Sequence, residues 1–301
     1  MSGRNVERSE GALSVIPPRQ VARVLAKACR MDVVAFKPGN VSLCAPGHGM
    51  TARDFLVSAR EALPALISPQ PVGRRVRQAV AATRTAVGCN TNLGIVLLLA
   101  PIAAAAAHGG GLQASLAQVL EDLTEADARE CFAAIVMAQP AGLGQADAAD
   151  VREAPQITLL EAMQLAATRD RIALQYASGY ADVFATMEAI RELRARWRSL
   201  AWAVTAGFLD LLSSFPDSHI QRKHGPAAAA RVQARVSSLA SAVKACENPR
   251  SFLPAMKQLD RELKADGINP GTSADLTVAS VAALLLSELP ATVRSGDDPR
   301  I

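Results

Sequence analysis

The chain has 301 residues, of which half are hydrophobic, 20% charged and only 4% aromatic, and 32 basic against 28 acidic side chains leave a formal charge of +4. That length and apolar content support one large or two small folded domains with a sizeable core, and exclude a disordered chain. The small positive excess suits anionic small molecules and is too little to argue for a nucleic-acid surface.

Apolar residues recur at helical spacing almost throughout, while β-branched alternation is nearly absent, so the expected fold class is all-α: a single-domain bundle of about twelve helices. Residues 1–18, ending in Pro17 and Pro18, are expected to form a flexible leader, residues 19–290 the helical domain and 291–301 a flexible tail. The first 20 residues carry charges and no apolar core segment, so no signal peptide is expected. A first helix fits 19–34. It is followed by the connection "FKPGNVSLCAPGHGM" and a helix over 52–66, where Thr51 can cap and Asp54 falls in the first turn. Helices over 72–87 and 93–107 flank "GCNTNLG". The apolar run "LGIVLLLAPIAAAAA" of the second is too short for a bilayer and is expected to be a core helix kinked or interrupted at Pro101.

Further helices fit 112–121 and 125–138; after the loop "PAGLGQADAADV" come 157–168, 169–190 and 191–213. The segment "FPDSHIQRKHG" leads to helices over 226–246 and 251–265, and "NPGTSAD" leads to the last, 273–288, with Thr272 as the expected cap and Asp275 in its first turn. Cys29, Cys44, Cys89, Cys131 and Cys246 are odd in number and never in C-x-x-C spacing, which points to reduced thiols and a cytoplasmic setting.

Five polar, glycine-bearing loops thus feed helices and hold three of the four histidines. Free N–H groups at helix starts bind phosphate, lysine and arginine add charge, and carboxylates hold magnesium; together they suggest a polyphosphate site. No G-x-x-x-x-G-K-[ST], G-x-G-x-x-G, H-E-x-x-H or G-x-S-x-G occurs, which disfavours a P-loop NTPase, a Rossmann dehydrogenase, a zincin and an α/β hydrolase. Any nucleotide site must be built between helices.

In order and spacing, "KPGNVS" with "HGMTARDF", "GCNTNLG", "RDRIALQYA", "DSHI" with "RKHG", and "NPGTSADL" resemble the triphosphoribosyl-dephospho-CoA synthase family over about residues 20–290. The resemblance implies an all-α transferase that takes ATP with Mg2+ and moves its 5-triphosphoribosyl unit onto a ribose hydroxyl of 3'-dephospho-CoA, releasing adenine. Members of the citrate pathway carry N-T-H-K-G where this chain has Asn90-Thr91-Asn92-Leu93-Gly94, and an R-G-G where it has Lys223-His224-Gly225. These departures bear on the acceptor. One alternative is the same transfer to a ribitol or pterin precursor in tetrahydromethanopterin biosynthesis; another is a noncatalytic nucleotide-binding protein of the same fold.

Such a transfer needs a neutralised triphosphate, a protonated or stabilised leaving base and an oriented hydroxyl, around a transition state resembling an oxocarbenium ion. Asp54, Asp275 and His48 are the expected catalytic residues, Asp182 and Asp217 the expected metal ligands. Lys37, Arg222 and Lys223 are expected on phosphates, with Asn40, Asn90, Thr91, Asn92, His219, Asn269 and Ser273 completing the nucleotide site. Each has a plainer reading as a cap, a loop hydrogen-bonder or a solvated turn. Tyr176 and Tyr180 are expected in the core, or stacked on adenine; the segment from Trp197 to Trp202 suits packing or a subunit contact in a homodimer. Neither a membrane nor a nucleic-acid partner is expected.

Overall fold

The structure is a computed structural model and describes residues 15–109, 111–140 and 150–289. The expected tail, most of the leader and most of the loop between Pro140 and Val151 lie outside the described residues. Among these there are fourteen α-helices, one 3₁₀ turn (Pro249–Phe252) and no strand. The helices are α1 (Pro18–Val34), α2 (Ala52–Leu66), α3 (Val72–Val87), α4 (Leu93–Ala106), α5 (Leu112–Glu121), α6 (Glu125–Ala138) and α7 (Leu159–Ala166). They continue with α8 (Arg171–Ala177), α9 (Ala181–Trp197), α10 (Leu200–Ser214), α11 (Ser218–His224), α12 (Pro226–Ala245), α13 (Leu253–Ala265) and α14 (Gly271–Ser287).

Two helices form the centre. In α4 and α14 almost every residue is buried, as expected of helices apolar on all sides. They pack on each other; α1, α9 and α10 also cover α14, while α3 and α5 cover α4. The outer helices bury one stripe each: on α1 this is Val21, Val24, Leu25, Ala28, Cys29 and Val33, with Asp32 in the same stripe. No helix among the described residues is long and apolar enough to cross a membrane. All five cysteines are free, Cys29 and Cys131 buried and Cys44 exposed.

Helix α4 runs through Pro101 without ending. Proline has no N–H, so the Leu97 carbonyl four residues back loses its helical partner. The Tyr176 hydroxyl, fully buried, donates to that carbonyl at 2.6 Å, and Tyr180 donates to Leu98 O at 3.2 Å. Both tyrosines are therefore core residues, and Tyr176 repairs the helix. Tyr176→Phe should leave a buried carbonyl unsatisfied and lower the unfolding free energy by about 1–3 kcal/mol, measurable by urea denaturation.

The helix count exceeds the expected twelve for two local reasons. The stretch 169–213 holds three helices where two were expected, because Gly179 and Tyr180 both take left-handed backbone (φ 63° and 64°) and Arg198 does so again (φ 50°). The buried side chain of Gln175 caps the restart, accepting from the N–H groups of Asp182 and Val183 at 3.2 and 3.3 Å. The segment after Pro216, expected as a loop, is α11, started by Asp217, whose Oδ1 accepts from the N–H groups of His219 and Ile220. Helix α14 begins at Gly271, so Thr272 lies inside it and Asp275 sits past its first four residues.

Candidate active site

A cavity of about 760 Å³ opens among these helices, within the range of small-molecule sites. Its buried lining comprises Asp32, Asn40, Thr91, Asn92, Gly94 and Asn269, joined by the half-buried His219, Arg222 and Asp275. Met50, Phe55, Leu97, Ile135, Ala138 and Met163 give it an apolar wall, and Arg169 and Lys223 stand exposed at the rim. Three helix N-terminal regions meet there: those of α4 at Asn92 to Gly94, α8 at Asp170 to Ala173 and α14 at Gly271 to Asp275.

The loop between α1 and α2 is folded by two tight turns, bridged between Ser42 and Ala45 and between Gly47 and Met50. Gly39, at φ 82°, donates its N–H to Asp260 Oδ1 at 2.8 Å, and a side chain there would run into Leu263 and Pro270. This anchors the loop on α13 and aims its next residue inward. Asn40 Nδ2 donates to Asn269 Oδ1 at 3.0 Å, while Asn40 Oδ1 is buried with no partner among the described residues. His48, in left-handed backbone at φ 56°, makes a 2.8 Å hydrogen bond between Nε2 and the Gly39 carbonyl. Burial lowers its pKa, against the opposing effect of that bond.

Asn90 Oδ1 caps α4 by accepting from Leu93 N–H at 3.1 Å, and Thr91 donates its hydroxyl to Ser58 Oγ at 2.6 Å. Asn92 has no side-chain hydrogen bond within the described residues and is free for a ligand. Asp170 caps α8 through Oδ1 and ion-pairs with Arg222 through Oδ2, which fixes the guanidinium at the cavity. The His219 ring packs on Gly271, where a Cβ would come within 3.1 Å of Nδ1. Burial first, then Arg222 and Lys223, lower its pKa to about 4, so the imidazole is neutral at neutral pH and can both accept and donate.

Of the residues singled out in the sequence, Asn40, His48, Asn90, Thr91, Asn92, His219, Arg222, Lys223, Asn269 and Asp275 come together around this one cavity. Five others do not line it. Asp54 faces solvent, its Oδ2 accepting from the Thr51 N–H and hydroxyl at 2.7 and 2.9 Å, so it completes a cap. Lys37 is 1% exposed and directs its ammonium at Asp32, both the carboxylate at 2.8 Å and the backbone carbonyl, behind the cavity wall. Asp182 is held by Arg171 at 2.7 and 2.9 Å and by Gln175 at 2.6 Å. Asp217 is wholly buried and accepts four hydrogen bonds, from His219 N, Ile220 N, Ser273 N and Ser273 Oγ, which welds α11 to α14 and commits Ser273 too. Asp217 has no lone pair left to offer a metal, and Asp182, with three of its four taken, keeps one on Oδ1. Among the described residues no three His, Cys, Asp or Glu side chains could share an ion.

Three cavity carboxylates were not among the candidates from sequence: Asp32, Asp150 and Asp170. Asp32 had a signal: an acid in the apolar stripe of an amphipathic helix must be paired or functional. Asp275 has no hydrogen-bond or ion-pair partner among the described residues. Burial, then Asp32 and Asp217, hold its carboxyl well above the usual carboxylate range, with Arg222 opposing and Asp170 adding to the rise. Its carboxyl lies against Gly94, where an added Cβ would be 2.0 Å from Oδ2.

A family model described as ATP:dephospho-CoA triphosphoribosyl transferase matches residues 18–293. Among solved structures, a crystal structure from Archaeoglobus fulgidus, provisionally described as a triphosphoribosyl-dephospho-coA synthase, matches with a TM-score of 0.61 at 25% sequence identity, covering 77% of this chain and 99% of that one. Among curated proteins none matches.

Proposed function

The chain belongs to the ATP:dephospho-CoA triphosphoribosyl transferase family, and from that premise we propose that it transfers the 5-triphosphoribosyl unit of ATP to a ribose hydroxyl of dephospho-CoA and releases adenine. The family is one of transferases that act on ATP and dephospho-CoA. The observation that carries the reading for this chain is the convergence of cations, free amides and carboxylates on one cavity with an apolar wall. A triphosphate needs fixed positive charge, which Arg222, Lys223 and Arg169 supply at the half-buried and exposed end. Ribose hydroxyls and a purine edge need donors and acceptors already desolvated, which Asn40 Oδ1, Asn92 and Asn269 offer. The sugar carbon that loses its base becomes cationic, and Asp32 and Asp275 are the carboxyl groups available to it. Magnesium enters as the counter-ion of the triphosphate, and no residue of this chain is assigned to it.

The test is incubation of the purified protein with ATP, magnesium and dephospho-CoA, with adenine followed by chromatography and the product by mass. Adenine and triphosphoribosyl-dephospho-CoA in equal amounts are expected. Adenine release only with a pterin precursor would move the acceptor assignment; ATP binding without adenine release under any acceptor would favour a noncatalytic nucleotide-binding protein.

A further inference from the structure

Resting on that reading, we infer that Asp275 and Asp32 divide the proton chemistry of the transfer, Asp275 protonating the departing base and Asp32 accepting the proton of the incoming hydroxyl. The two line one cavity from different helices, α14 and α1, which pack along each other. Their surroundings are opposite. Asp32 is paired with the Lys37 ammonium at 2.8 Å, both side chains being at most 3% exposed, one half of a buried ion pair. Among the described residues no donor other than Lys37 reaches its carboxylate. Asp275 has no cation bonded to it; it faces Asp32 from α1, Asp217 and Arg222 from the α11 region, and Asp170 from the start of α8. His219, neutral, stands on the same helix start at Gly271. A carboxyl in that company binds its proton more tightly than a solvated one, and an arriving triphosphate adds negative charge that tightens it further. One carboxyl without a cation and one held by an ammonium, facing the same cavity, suit the acid and the base role of one reaction.

The step balances. The C1'–N9 bond breaks with its electron pair going to adenine, and the Asp275 proton goes to a ring nitrogen, so neutral adenine leaves. The acceptor oxygen bonds C1' and surrenders its proton to Asp32. An oxygen attached to a cationic sugar carbon is strongly acidic, so a lysine-paired carboxylate is base enough. Return of one proton from Asp32 to Asp275 resets the site, with no other reactant consumed.

The experiment compares wild type, Asp275→Asn and Asp32→Asn with two donors, ATP and its N7-methylated analogue, whose base departs without needing a proton. With ATP, Asp275→Asn should lose on the order of 10²-fold or more in base release, the usual contribution of a general acid. With the methylated donor it should recover most of that loss, whereas Asp32→Asn should stay impaired with both. Equal impairment of Asp275→Asn with both donors, or rescue of Asp32→Asn by methylation, overturns the division. A wild-type protein that releases no base from either donor overturns the transfer reading itself, and this inference with it. Folding is checked separately: a carboxyl held above its unfolded range binds its proton more tightly when folded, so it costs stability as pH rises through that range. The near-isosteric asparagine removes the cost, and its melting temperature at neutral pH should equal or exceed wild type.

Discussion

Gly94→Ala should slow the transfer on the order of a hundredfold, although alanine in a helix normally gains about 0.5–1 kcal/mol over glycine. The position is the second residue of α4, and its missing side chain is where the Asp275 carboxyl rests: a Cβ would stand 2.0 Å from Oδ2, 2.6 Å from Cγ and 2.7 Å from Ile172 Cδ1. The isoleucine methyl can swing aside. The aspartate side chain is short, and the α14 backbone that carries it is locked to Asp217 through Ser273. The alanine therefore displaces the carboxyl from the cavity rather than the helix from the core. Base release measured with saturating ATP reads the effect on turnover, and thermal denaturation should show only a small change in stability. In an Asp275→Gly background the same alanine should be neutral or stabilising, so a double-mutant cycle isolates the contact. Near-normal turnover of Gly94→Ala would mean that the Asp275 carboxyl is not needed where it lies.

The helical periodicity of this chain is strong enough that α2, α3, α5 and α6 have the bounds expected from sequence. It fails where a side chain from elsewhere decides the backbone. Nothing local in "YASGYADV" says that Gln175 will be buried and cap a new helix at Asp182, and the apolar spacing runs on through the break. The same limit governs the site. Polar loops at helix starts were legible, and ten of the residues they supplied line the cavity: Asn40, His48, Asn90, Thr91, Asn92, His219, Arg222, Lys223, Asn269 and Asp275. The direction in which each polar group points was not. Asp54 and Asp275 look alike as acids three residues after a threonine, yet one closes a surface cap and the other sits at the buried end of a cavity, because α14 starts earlier and packs on α1 and α4. Asp217 and Asp182 carry the right chemistry for a metal and are engaged by partners on other helices, Ser273 of α14 for one and Arg171 of α8 for the other. Asp32 was hidden by the opposite error, since a helical run of apolar residues draws attention away from the one acid within it.

Lys37→Met should cost about 3–5 kcal/mol of folding stability, the range for removing one partner from a buried ion pair, and most of the transfer activity besides. Lys37 is fully buried and its ammonium is shared between the Asp32 carboxylate and the Asp32 carbonyl, the latter at the last turn of α1. It therefore does two jobs from behind the site wall. It holds the start of the Lys37 to Met50 loop against α1, which fixes the approach of Asn40 and His48 to the cavity, and it is the cation paired with Asp32. Without it, Asp32 faces Asp275 with no cation, and the cheaper outcome is for Asp32 to take up a proton and lose its capacity as a base. The two contributions separate in a second variant. Asp32→Asn combined with Lys37→Met removes both charges, so stability should recover part of the loss, with a coupling of about 1–3 kcal/mol by denaturant titration, while base release stays low. If Lys37 instead met the phosphates directly, the single variant would raise KM for ATP and leave the fold intact, and the double variant would gain nothing in stability over it.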